Sequence, residues 1–263
     1  MKKSRIWELD FLRGFAIFMM IFDHLLYDLQ NLNSIFVNFW EVDNTFFNWL
    51  EDFGRLYWYS DLRFFGHLFF ISLFLIVSGI SYTFSKSNLS RGIKLLIVAL
   101  LINLVTYLID VIFDADVVIA FGIIHMYALS ILIIYLIRKI WDNDKLIFFL
   151  GSVIIVIGIL IEFWEFNYIL QVRLVDIPGL VIGTKAYGAD NFGLIPYLGI
   201  MMMGTVIGNS FYKNKVSLIP TRKITNKNFF TWIGRNSLLI FILHQFVLYG
   251  IIILVGYFYG YRI

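Results

Sequence analysis

Seven long runs of mainly apolar residues fill most of this chain, and runs of that length leave few environments in which it can fold. A helix needs about 20 such residues to cross a hydrocarbon core of roughly 30 Å. The runs are Phe11–Leu29, Phe64–Phe84, Ile93–Phe113, Val117–Ile137, Leu146–Ile161, Phe192–Phe211 and Phe229–Phe258. They predict an all-α polytopic membrane helix bundle of seven spans, or eight if part of 163–191 enters the membrane. Composition agrees. Charged residues are only 15% of the 263 and hydrophobic ones 60%, whereas a soluble domain carries about 25% charge. That excludes a soluble globule and a disordered chain. The net charge of +3 gives no case for nucleic acid. With no cysteine, disulfides, thiolate nucleophiles and iron–sulfur clusters are excluded. The first run is too long for a signal-peptide core and lacks a small-residue cleavage site, so no cleavable leader is expected.

Lys and Arg set the orientation. Fourteen lie on one side: Lys2, Lys3, Arg5, Lys86, Arg91, Lys94, Arg138, Lys139, Lys145, Lys213, Lys215, Arg222, Lys223 and Lys227. Five lie on the other: Arg55, Arg63, Arg173, Lys185 and Arg262. This places the N-terminus in the cytoplasm and the C-terminus outside. Residues 30–63 include NFWEVDNTFFNWLEDF, which reads as an amphipathic helix at the interface with aromatic anchors. Residues 162–191, with IPGLVIGTKAYGADN, suit a re-entrant turn. With no internal repeat and no soluble segment, residues 1–263 read as one domain.

An ionisable group inside a membrane costs about 2.5–3.5 kcal/mol on insertion scales, so it usually has a partner or a purpose. All four histidines fall in or beside the runs. Counting 1.5 Å per residue, His24 lies ~20 Å and His244 ~22 Å up from the inner side. His125 lies ~12 Å down from the outer side and His67 about 5 Å down. His24, His125 and His244 thus share a layer in the outer half and suggest a common polar site. The competing reading is that each only ties helices together. Asp28, four residues after His24, shares its face and is positioned to orient the ring. Asp23 points about 100° away, toward another helix. Asp10 and Arg13 share a face near the inner surface and form either a structural pair or part of an anion site. Arg235 and Asn236 open the last run, where an arginine meets an anion or snorkels to headgroups. No histidine spacing fits a metal site, and none is expected.

Several segments together resemble a known family. They are RIWELDFLRGFAIFMMIFDHLLYDL, LFLIVSGISYTFS followed by SRGIKLL, FGIIHMYALSILI, FGLIPYLGIMMMGTVIG and WIGRNSLLIFILHQFVLYG. In this order, from end to end of the chain, they resemble the bacterial membrane family related to heparan-α-glucosaminide N-acetyltransferase. The wider acyltransferase-3 superfamily is similar in one further respect, an arginine followed after ten residues by a histidine, as Arg13 and His24 are here. The resemblance implies transfer of an acyl group, normally acetyl, from cytosolic acetyl-CoA or another acyl-CoA to an extracytoplasmic hydroxyl or amine on a sugar or envelope glycan. It implies His24 as base or acyl carrier. The family's extramembrane histidine has His67 as its nearest counterpart. On this reading Asp28 orients His24, His125 or His244 donates to the oxyanion, and Asp10, Arg13, Arg235 and Asn236 meet the donor's phosphates. The bilayer, acyl-CoA and a glycan acceptor are the expected partners; a homodimer is allowed but not required. A bacterial plasma membrane is the expected location. The alternative is a proton-coupled transporter or flippase, in which midplane histidines and acids relay protons. A third is a structural membrane partner whose polar groups only fix helix packing.

Overall fold

The computed structural model describes residues 5–114, 117–162, 167–188, 190–219 and 228–263. Lys2, Lys3, Arg222, Lys223 and Lys227, which entered the orientation argument, lie outside them, as do 163–166 and 189 of the expected re-entrant segment. The chain divides into two compact units, residues Met1–Phe74 with Val216–Ile263, and Leu75–Lys215.

The first unit is built on α1 (Trp7–Gln30). It also holds α2 (Leu32–Ile35), α3 (Phe39–Val42), α4 (Thr45–Trp58), the first turns of α5 (Asp61–Tyr82), α11 (Phe229–Arg235) and α12 (Ser237–Phe258). Glu8 and Asp10 in the first turn of α1 suit the positive end of the helix dipole. Glu8 accepts from Leu218 N and Ser217 Oγ, both at 2.8 Å. α1 and α11 approach backbone to backbone at Gly14 and Gly234.

The last apolar run is not one helix. It breaks at Asn236, whose side-chain amide takes the Trp232 carbonyl at 2.9 Å. The expected interfacial helix is also two: Asp43 adopts φ 42°, and Asn44 then caps α4 by accepting from Phe46 N and Phe47 N. Below this cap, Leu32, Phe36, Phe39, Phe47, Ile252 and Tyr261 form a buried cluster. Tyr261 lies 4.5 Å from the Phe47 ring and 4.9 Å from Phe36. Tyr261→Ala should therefore cost about 3–5 kcal/mol, the range for a buried large aromatic, read as a lowered melting temperature in detergent.

The second unit holds the later turns of α5, then α6 (Asn88–Phe113), α7 (Ile123–Ile140), α8 (Asp144–Glu162) and α10 (Tyr197–Phe211). Between α8 and α10 run β1 (Asn167–Tyr168), a 3-10 turn at Leu174–Asp176, α9 (Ile177–Ile182) and β2 (Lys185–Ala186), with β1 and β2 paired in parallel. The fourth helix starts six residues later than its apolar run. Three α6 side chains explain the difference, because they bond the backbone of 117–120 and hold it extended. Asp110 accepts from Val117 N and Thr106 from Ile119 N, while Asn103 donates to the carbonyls of Ile119 and Ala120. Asp190 then caps α7 by accepting from Ile123 N at 3.1 Å. At the other end of α7, Arg138 donates to Asp142, Asp144 and Thr205, tying α7 to α8 and α10.

Among the described residues five helices are long and apolar enough to cross a membrane: α5, α6, α7, α8 through Ile161, and α12. α10 is apolar but has 15 residues. α1 has 24 residues and carries Glu8, Asp10, Arg13, Asp23 and Asp28. Each of its four acids has an internal partner, as an acid withdrawn from water requires.

Candidate functional site

Two consecutive residues of α1 point at different neighbours. Asp23 faces α4 and α5, as its 100° offset from His24 requires. Tyr57 donates to Asp23 Oδ1 at 3.0 Å and Arg63 Nε to the same oxygen at 3.3 Å. His67 Nδ1 lies 3.4 Å from Oδ2. The Arg63 guanidinium sits 3.8 Å above the Trp58 ring. Burial, then the Asp23 charge, pushes the Tyr57 phenol up to about 12, so it serves as a permanent donor. This cluster fixes the rotation of α1.

His24 faces α12. Its ring meets that of His244 edge to face, with centroids 4.9 Å apart and planes at 86°. His24 Nδ1 lies 2.8 Å from the Met20 carbonyl, and His244 Nδ1 lies 2.5 Å from the Phe241 carbonyl. A carbonyl only accepts, so in both neutral rings Nδ1 carries the hydrogen and Nε2 a lone pair. His244 Nε2 is buried and makes no hydrogen bond among the described residues. The pair therefore presents two acceptor nitrogens. His244 can donate from Nε2, as the expected oxyanion role requires, only when the ring is protonated.

Asp28, fully buried, receives Gln245 Nε2 on both oxygens, at 2.8 and 3.0 Å. The expected orientation of His24 by Asp28 is thus replaced by the backbone carbonyl one turn earlier. Asp28 instead ties α1 to α12 one residue beyond His244.

His125 does not stand two turns into a helix that begins at Val117, as expected. The helix begins at Ile123, so His125 stands in its first turn. Its Nδ1 accepts from Gly122 N at 3.2 Å and its Nε2 donates to the Asn103 side-chain oxygen. Both nitrogens are engaged, and His125 closes the α6–α7 connection within the second unit.

At the start of α1, Asp10 gathers Arg13 and Arg235 at 3.3 Å each and Arg5 at 3.8 Å. Arg13 also donates to the Gly234 carbonyl. The expected Asp10–Arg13 pair is present, and Arg235 joins it. Among the described residues, three guanidiniums thus converge on one carboxylate. The Asn236 amide is taken by Trp232 and acts at the helix break. Among the described residues no group of three His, Asp or Glu is placed to hold a metal.

Gln245, Tyr57 and Arg63 were not singled out from the sequence. Gln245 carried a usable signal, a polar amide inside an apolar run beside a histidine. Tyr57 and Arg63 did not, since nothing local pairs them with Asp23.

No curated protein and no solved structure matches the chain. The family model for heparan-alpha-glucosaminide N-acetyltransferase, catalytic, matches residues 5–53 and 42–246. That match spans most of the sequence and includes every polar cluster of α1, so the chain belongs to the heparan-alpha-glucosaminide N-acetyltransferase catalytic family.

Proposed function

We propose that this protein moves an acetyl group from cytosolic acetyl-CoA to a hydroxyl or amine on an extracytoplasmic glycan, working as a seven-span enzyme of a bacterial plasma membrane with its N-terminus inside. Family membership supports acetyl transfer, and the observation that carries the site is the His24–His244 pair with both Nε2 lone pairs unspent. Acetyl-CoA supplies an activated thioester carbonyl. The guanidiniums of Arg5, Arg13 and Arg235, gathered at Asp10, suit its phosphates. His24 Nε2 takes the acceptor's proton as the acceptor atom bonds to the acyl carbon, and returns it to the departing thiolate. With an amine acceptor His244 Nε2 accepts the second N–H; with a hydroxyl, the two Nε2 atoms stand as alternative acceptors for its single O–H. Asp23 and Asp28 hold the register of α1. His67 contributes by way of Asp23.

Two experiments test this reading. His244→Phe keeps the ring's edge contact and removes its nitrogens. It should lower kcat on the order of 10²-fold, as loss of one positioned hydrogen-bonding group does, with KM for acetyl-CoA unchanged. A raised KM with unchanged kcat would place His244 in donor binding. The orientation is tested by single cysteines, which report alone because the chain has none. Thiols at Glu41 and Val172 should label from outside, and thiols at Lys86 and Asn143 only after permeabilisation.

A further inference from the structure

The second unit contains a cavity of about 830 Å³ that the proposed chemistry does not use. One wall is the α6 face of Leu100, Leu104 and Tyr107; opposite stand Phe121 and, on α9, Leu180 and Val181. Its volume lies in the ~300–1,000 Å³ range of pockets that hold small ligands. The α6 wall is continuous with a surface that a bilayer would cover. α6 reaches a mean hydropathy of 2.6 with only 11% of that stretch buried, and Leu100 and Leu104 are more than half exposed.

The lining is mainly apolar, with Asn103, Tyr107, Gln171 and Tyr187 as its polar residues. Asn103 already donates to two carbonyls and accepts from His125. An occupant of this space meets mostly hydrocarbon.

Charged residues adjoin the lining in sequence: Arg173 follows Val172, Asp176 precedes Ile177, and Lys185 lies two before Tyr187. Asp176 is buried and accepts from Lys185 Nζ at 2.5 Å, from Arg173 N at 2.9 Å and from Arg173 Nε at 3.3 Å. The Lys185 hydrogen bond first, then the Arg173 backbone N–H, hold its carboxyl down to about 2. Among the described residues, two cations around one anion leave one positive charge beside the lining, and the Arg173 side chain is 76% exposed. An apolar trough facing lipid with a positive charge beside it has the polarity of an anionic lipid. We propose that this groove holds one acyl chain of an anionic phospholipid of the surrounding bilayer, with Arg173 meeting its phosphate.

The test uses the full chain in nanodiscs containing a trace of phosphatidylglycerol with a diazirine in mid-chain, followed by peptide mapping after illumination. Adducts should concentrate on 100–107 and 171–187, roughly ten-fold above those on α12, a difference equivalent to about 1.4 kcal/mol of preference. A phosphatidylcholine probe should label this region less, and Arg173→Ala should bring the two probes level. Leu104→Trp, which fills the trough from an exposed position, should remove the excess while melting temperature and elution volume stay those of wild type. If Leu104→Trp does not fold, Val181→Trp takes its place. Equal labelling of α6, α8 and α12 would overturn the proposal, as would an excess that survives a folded groove-filling variant. Displacement of the probe by a polyprenyl phosphate at lower concentration than by phosphatidylglycerol would overturn phospholipid as the occupant.

Discussion

Acetyl transfer by a His24→Ala variant is expected to fall about 10²–10⁴-fold, the usual contribution of a positioned general base, while the protein still folds. The fold should survive because α1 is anchored on both sides of the lost ring. Asp23 holds Tyr57 and Arg63, and Asp28 holds Gln245. The only hydrogen bond the His24 ring makes among the described residues is to Met20, on its own helix. His125→Ala is the matched control. It removes two hydrogen bonds, from Gly122 and to Asn103, and leaves the Gly122 N–H and the Asn103 side-chain oxygen without those partners. Its melting temperature should drop, by the equivalent of about 1–3 kcal/mol for the polar groups left unpaired, with activity per folded molecule retained. The reverse pattern, an active His24→Ala and a folded but inactive His125→Ala, would move the site to the other unit.

The second large effect concerns stability. A Cβ on Gly234 would stand 1.8 Å from the Asp10 carbonyl oxygen, and one on Gly14 would stand 1.8 Å from that of Phe230. Both obstacles are backbone, so no rotamer change relieves them. α11 would have to lift off α1, and the Arg13 and Arg235 contacts with Asp10 would go with it. Small residues at such crossings let membrane helices touch by their backbones. Gly234→Ala should therefore cost at least the ~1–3 kcal/mol of an overpacked core. A purified sample should melt earlier or be recovered mainly as aggregate. Gly250→Ala is the contrast. Nothing lies within 4 Å of its added Cβ. It exchanges the poorest ordinary helix former for the best, worth about 1 kcal/mol, and should melt at or above wild type. Equal melting of Gly234→Ala and wild type would contradict the backbone contact.

Length and apolarity made the helices readable. Counting put His24 and His244 in one layer, but the His244 count ran through the break at Asn236 and gave no contact between the rings. The same count failed for His125, because it assumed that Val117 begins the helix. Hydropathy does not distinguish VVIAFG as extended chain from helix. What decides is whether another element can satisfy its backbone, and Asn103, Thr106 and Asp110 do so from 7 to 17 positions upstream. Asn236 broke the last run for a similar reason, a side-chain amide competing for a helix carbonyl. The partners of Asp23 were out of reach because Tyr57, Arg63 and His67 lie 34 or more positions away. The direction in which Asp23 points was legible from helix geometry alone.

The central claim is that this protein performs covalent acyl transfer, and single-turnover assay of purified protein with radiolabelled acetyl-CoA tests it most directly. Wild type and His24→Ala would be followed with sugar hydroxyl and amine acceptors supplied. The account predicts label leaving CoA and reaching an acceptor or water in wild type, and label retained on CoA in the variant. Wild-type protein that neither binds acetyl-CoA nor releases its label, across acyl lengths and acceptors, would contradict it and leave the histidine pair as part of a proton path.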